Sequence, residues 1–102
     1  MTNDYVKFQA PSRRRDALAV LLNTRGYCCS ELLLQRMVRE MGGYNLSAAL
    51  LRDDLHWLAE RRLVKNEERD GVLFATLIER GRDVANGDEH VDGVEWPDVA
   101  RE

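Results

Sequence analysis

The residues of this chain best equipped for chemistry are arginines and small polar groups set at helical spacing. Ser47, Ala49, Arg52 and His56 lie at the start of a helical stretch and along one side of it. Arg52 can donate two hydrogen bonds to a guanine edge, and His56 lies one turn further on the same face. Ala49 offers a methyl contact to thymine, while Ser47 and the first helix amides can hold a phosphate. A second cluster, Arg13-Arg14-Arg15, is suited to gripping a nucleic-acid backbone, and Lys65, Asn66 and Arg69 on a candidate hairpin would add to it. Blander readings stand beside these. His56 also fits a solvated helix histidine, and the Arg triplet fits solvated surface or a partner for acidic segments elsewhere. Asp53 and Asp54 follow Arg52 directly and would repel phosphate. The hairpin stretch Glu67-Glu68-Arg69-Asp70 carries three acids to one base, which argues against strong backbone contacts there.

Other chemistries find little material. There is no glycine-rich phosphate loop, no nucleophile elbow and no histidine arranged with a candidate nucleophile. Asp53 and Asp54 are adjacent, so on a helix they point to different faces and cannot share a substrate. No enzyme activity and no cofactor are expected. Cys28 and Cys29 are neighbours, which strains an ordinary disulfide and does not match zinc spacing. They read as small buried thiols in a reducing compartment, with a thiol sensor as the alternative, and no metal is expected. No apolar run approaches the ~20 residues of a membrane span, and the amino terminus lacks a signal-peptide pattern. A cytoplasmic protein with no membrane association is the expectation.

Charge is distributed unevenly. Residues 1–82 carry 14 Lys and Arg against 11 acids, a balance of +3, whereas residues 83–102 carry Arg101 against seven acids, a balance of −6. A basic body with an acidic tail is a pattern found in some nucleic-acid binders. The tail is then expected to act as a DNA mimic whose deletion, from residue 88 onward, raises affinity for random duplex.

The elements that would position these groups follow from periodicity. Residues 1–11 show no sustained period and end at Pro11, so they read as an irregular arm with Tyr5, Val6 and Phe8 as anchors. Ser12 is suited to cap a first helix with Asp16 in its first turn and Ala17, Leu18, Leu21 and Leu22 on its core face. Gly26 ends it, and Tyr27-Cys28-Cys29 is a short extended link. Ser30 caps a second helix whose core stripe is Leu33, Met37, Val38 and Met41, widened by Leu34 and stopped by Gly42-Gly43. Ser47 caps a third, with Leu51, Leu55, Leu58 and Ala59 inward, Trp57 sealing the body against the hairpin, and Asp54 paired with Arg61 or another base. Two β-type runs, 63–67 and 72–77, flank Asp70-Gly71, a strong hairpin signal. A short helix spans 78–86, and the acidic tail 88–102 is expected to be poorly ordered, unless Val91, Val94 and Trp96 dock it on the body or on a second copy.

Three helices, a hairpin and a last helix are the order of a winged helix-turn-helix domain, mainly α with a small β-hairpin wing. The run Leu46-Ser47 through Leu51, Asp54-Leu55, Leu58 and Leu63-Val64 resembles the recognition helix and first wing strand of that class. Thr76-Leu77-Ile78-Glu79-Arg80-Gly81 resembles its wing-to-helix junction, except that Ile78 stands where many relatives carry a capping Thr. The Asp54-Leu55-His56-Trp57-Leu58-Ala59 run and residues 79–85 also resemble the small winged-helix proteins of Mu-like bacteriophages and prophages. The domain is placed at residues 12–87. The resemblance implies a sequence-specific transcriptional regulator that puts helix 48–61 in the major groove of double-stranded DNA. One such unit has a small footprint, so a DNA reader is expected to pair as a homodimer on a two-fold operator, with the first helix, the last helix and Val91, Val94 and Trp96 as candidates for the interface. The alternative is a winged-helix module that binds a protein partner instead of DNA.

Overall fold

The computed structural model describes residues 3–97. The chain runs α1 (Asn3–Leu22), a single 3-10 turn (Arg25–Tyr27), β1 (Cys28–Ser30), α2 (Glu31–Gly42), α3 (Ala48–Glu60), β2 (Val64–Arg69), β3 (Val72–Leu77) and α4 (Glu79–Ala85). The strands form one antiparallel sheet in the order β1-β3-β2, with Cys28 opposite Thr76 and Val64 opposite Leu77. Asp70 and Gly71 both take positive φ (52° and 80°), the two-residue turn whose twist matches its strands.

Each helix start on the helix-turn-helix side is capped as the sequence predicts. Ser30 Oγ accepts from Leu33 N–H and Ser47 Oγ from Leu50 N–H. Leu18, Leu21, Leu34, Val38, Leu46, Leu51, Leu55, Leu58, Leu63 and Leu77 are fully buried together in the centre. The glycine of Glu79-Arg80-Gly81 has a steric reason: a Cβ there would run into the Leu63 carbonyl. α4 begins after Ile78, whose side chain makes no cap bond.

Four expectations are corrected. The irregular arm is helical from Asn3, and α1 continues through Pro11, so Ser12 is not its cap and Asp16 lies mid-helix. Proline has no N–H, so the i→i−4 bond from residue 11 is absent, and the helix is tied to its surroundings on either side of that position. Arg13 Nη1 donates to Val6 O at 2.7 Å, and Glu95 N–H donates to Pro11 O at 3.1 Å. Tyr5 and Phe8 anchor nothing and are 65% and 79% exposed.

On α2 only Leu34 and Val38 of the expected stripe reach the core, whereas Leu33, Met37 and Met41 stay 40–54% exposed. The inward face is centred on Leu34 and Val38, and Leu33, Met37 and Met41 occupy its flank. The segment after α4 is docked as far as Pro97. Val91 and Val94 join the core, Arg14 Nη1 donates to Gly93 O at 3.0 Å, and His90 stacks on Trp96 at 4.1 Å. Residues 98–102 of the expected tail, and residues 1–2 of the arm, lie outside the described residues. Removing the chain from residue 88 would therefore strip core residues as well as charge. Trp57 seals that segment and not the wing: it lies between the Arg14 and Arg61 guanidinium groups, 3.9 and 3.7 Å from its ring, with Gly93 close enough that a Cβ would sit 2.5 Å from the indole.

Candidate nucleic-acid interface

α3 presents two faces. Leu51, Asp54, Leu55 and Leu58 point inward. Ala48, Ala49, Asp53, His56 and Glu60 are exposed on the other side, with Ser47 exposed at the start. The two alanines leave the first turn of that face without bulk, so a groove floor can approach the backbone closely. On α2, Gln35 Nε2 donates to Leu46 O at 2.9 Å and fixes the turn that leads into α3. Arg39 and Arg36 line the same open groove as Gln35 and Tyr44. Both are exposed, and their side chains make no hydrogen bond or ion pair among the described residues. The wing stands on the far side of α3 and is clipped to it by Asn66, whose Nδ2 donates to Leu55 O at 3.0 Å.

Of the residues singled out from sequence, Ser47, Ala49 and His56 share this outer surface, and Lys65 and Arg69 are exposed on the wing. The arginine triplet is elsewhere, on α1 behind α3. Arg13 is 3% exposed and makes a two-pronged pair with Asp54, Nε to Oδ2 at 2.8 Å and Nη2 to Oδ1 at 3.0 Å. This corrects its assignment as a backbone contact and names the base that Asp54 was expected to find. Arg14 is turned to Gly93, Trp57 and Asp54 (3.7 Å), and burial lowers its pKa despite the nearby carboxylate. Arg15 bonds Asp16 Oδ1 at 3.1 Å. The triplet is used to hold the body together, and none of it faces the α3 surface.

Arg52 is also committed. Nε and Nη2 donate to the two oxygens of Glu31, at 3.0 and 2.5 Å, and Nη2 reaches Gly71 O at 3.2 Å. Glu31, 9% exposed, accepts in addition from Leu73 N–H at 2.7 Å. One carboxylate thus ties α2 to α3 and to the start of β3. The hydrogen bond from Arg52 holds the Glu31 carboxyl below the usual range, with the Leu73 amide and the nearby positive charge adding to it against the cost of burial. Sequence reasoning missed Glu31, because an acid just after an N-cap reads as a dipole partner. It also missed Arg39, which carries no sequence signal beyond its charge. At the wing tip Arg69 pairs with Glu67 at 3.7 Å and lies over Phe74 at 4.2 Å.

Comparison with known proteins bears on the fold. No family model matches the chain. Two complexes of hsRosR superpose on it with TM-scores of 0.65 and 0.64 at 22% and 23% identity, covering 74% and 78% of this chain and 65% and 73% of theirs. A winged-helix DNA-binding protein from STIV superposes with a TM-score of 0.55 at 15% identity, over 84% of this chain and 83% of that one. The fold is a winged helix-turn-helix. In sequence, an uncharacterized protein of Escherichia phage Mu, gp26, is 44% identical over 55 residues, 54% of this chain. That stretch spans 57% of the Mu protein's length. No described helix is long and apolar enough to cross a membrane.

Proposed function

We propose that this winged helix binds double-stranded DNA with α3 in the major groove, as a cytoplasmic transcriptional regulator of the phage and prophage kind. The observation that carries the reading is the uncrowded outer face of α3. Ser47, Ala48 and Ala49 open it, Asp53 and His56 follow at helical spacing, and Arg39, whose side chain is unpaired among the described residues, lines a groove with Gly43 and Tyr44 of the turn that leads into α3. In this arrangement Ala49 meets a thymine methyl, Asp53 accepts from a cytosine amino group and His56 addresses a purine edge. Arg39 and Lys65 supply phosphate contacts on either side. Arg52, held by Glu31 and Gly71 O, sets the angle between α3 and the wing.

Few free cations face the duplex, so binding should be weakly salt-dependent for a DNA reader. Fluorescence anisotropy with a labelled duplex, repeated across salt concentrations, tests this. Each of Arg39→Ala and Lys65→Ala should flatten the slope of log K on log salt by about 1. Unchanged slopes would remove both residues from the interface.

The acidic wing favours a second reading, in which the domain docks a protein. Glu67, Glu68 and Asp70 are exposed there against Lys65 and the paired Arg69. Absence of duplex binding at low salt would leave that reading in place.

A further inference from the structure

α2 carries a second exposed surface that the DNA reading does not use. Leu33, Met37 and Met41 recur every four residues along the flank turned away from α3, and they are 48%, 40% and 54% exposed. Three large apolar side chains in a row on solvent are unusual for a chain that is 32% charged. Between α1 and α2 this row opens into a shallow groove lined by Val20, Met37, Glu40 and Met41. Arg36 and Glu40 form the shoulder of the row, one helical turn apart. Both are exposed, and neither has an ion-pair partner among the described residues.

We propose that this face of α2 pairs with the same face of a second copy, antiparallel about a two-fold axis beside Met37. The arrangement follows from symmetry applied to the residues present. A two-fold axis at Met37 lays Leu33 of one copy on Met41 of the other, so that each Leu33 enters the other copy's groove beside Val20. The same operation keeps the charged shoulders on one side and brings Arg36 alongside Glu40, twice. The surface is therefore complementary to itself in both shape and charge, which is what a two-fold interface requires and what an unrelated partner has no reason to match. Methionine suits it, because its flexible side chain fills an irregular contact. Gln35, bonded to Leu46 O, marks the opposite flank. The pairing leaves both α3 outer faces open, and it stands independently of whether they bind DNA.

Sedimentation velocity on the full chain tests the proposal. The expected species has twice the 11.7 kDa mass of one chain. Met37→Glu should weaken the association by at least about tenfold, with the helical circular dichroism signal retained because the side chain is already exposed. Arg36→Glu and Glu40→Arg should each weaken it, and R36E/E40R should restore it. Should the Met37 variant lose its helical signal, the charge-swap set decides alone, since those exposed side chains make no hydrogen bond or ion pair among the described residues. A wild-type chain that stays monomeric overturns the proposal, as does a dimer indifferent to Met37→Glu and to the swap.

Discussion

Replacing Asp54 by alanine removes the acceptor of both Arg13 bonds and the counter-charge 3.7 Å from Arg14. Arg13 would keep only the Val6 carbonyl, in a site where it is 3% exposed. Deleting one partner of a buried ion pair costs about 3–5 kcal/mol, against a total stability of roughly 5–15 kcal/mol for a domain. The melting temperature should fall on the order of 20 °C, at ~4–8 °C per kcal/mol for a chain of this size. Arg13→Ala should cost less, because Asp54 keeps Arg14 nearby. The double replacement R13M/D54L, which removes both charges and keeps volume, should recover much of the loss. Thermal unfolding followed by circular dichroism measures all three. Losses that simply add in the double variant, or a stable Arg13→Ala variant with weakened DNA binding, would refute the placement of this pair in the body.

Three further outcomes follow from the same contacts. The folded Glu31 carboxyl titrates below its unfolded value, so it contributes stability that is present above about pH 4.3 and is lost as the pH falls through the lower folded value. Wild type should accordingly lose more stability than Glu31→Gln on acidification, and parallel denaturant curves would contradict this. Gly81→Ala forces a Cβ into the Leu63 carbonyl and should destabilise by about 1–3 kcal/mol or more, visible as a lower urea midpoint. Arg52→Ala should loosen the wing and weaken all duplex sequences alike, and a loss confined to one base pair would return Arg52 to base reading.

Much of the fold was legible because local signals agreed with tertiary ones. Ser30, Ser47 and Asp70-Gly71 each do the job their types suggest. The failures share one cause, since local patterns do not record long-range partners. Pro11 reads as a stop, but α1 runs through it, with Arg13 bonded to Val6 O and the distant Glu95 bonded to Pro11 O on either side. The α2 stripe was shifted by one flank, because Leu33 and Leu34 are equally apolar and only the packing of α1 distinguishes them. The arginine triplet reads as a phosphate clamp, whereas the partners of Arg13 and Arg14, namely Asp54, Trp57 and Gly93, lie far away in sequence. On α3, period alone separates the buried Leu51, Leu55 and Leu58 from the exposed Ala48, Ala49, Asp53 and His56. What could not be read was which of its residues were already engaged: Arg52 is, through Glu31, and His56 makes no such bond.

The central claim is that the outer face of α3 reads base edges. Selection of the full chain against a random duplex library, followed by sequencing of what is retained, tests it most directly. The account predicts an enriched motif whose preference at one base pair disappears in His56→Ala and at a neighbouring pair in Asp53→Ala, with overall retention reduced in Arg39→Ala. A library recovered without enrichment at low salt, or a motif unchanged by both α3 variants, would contradict it.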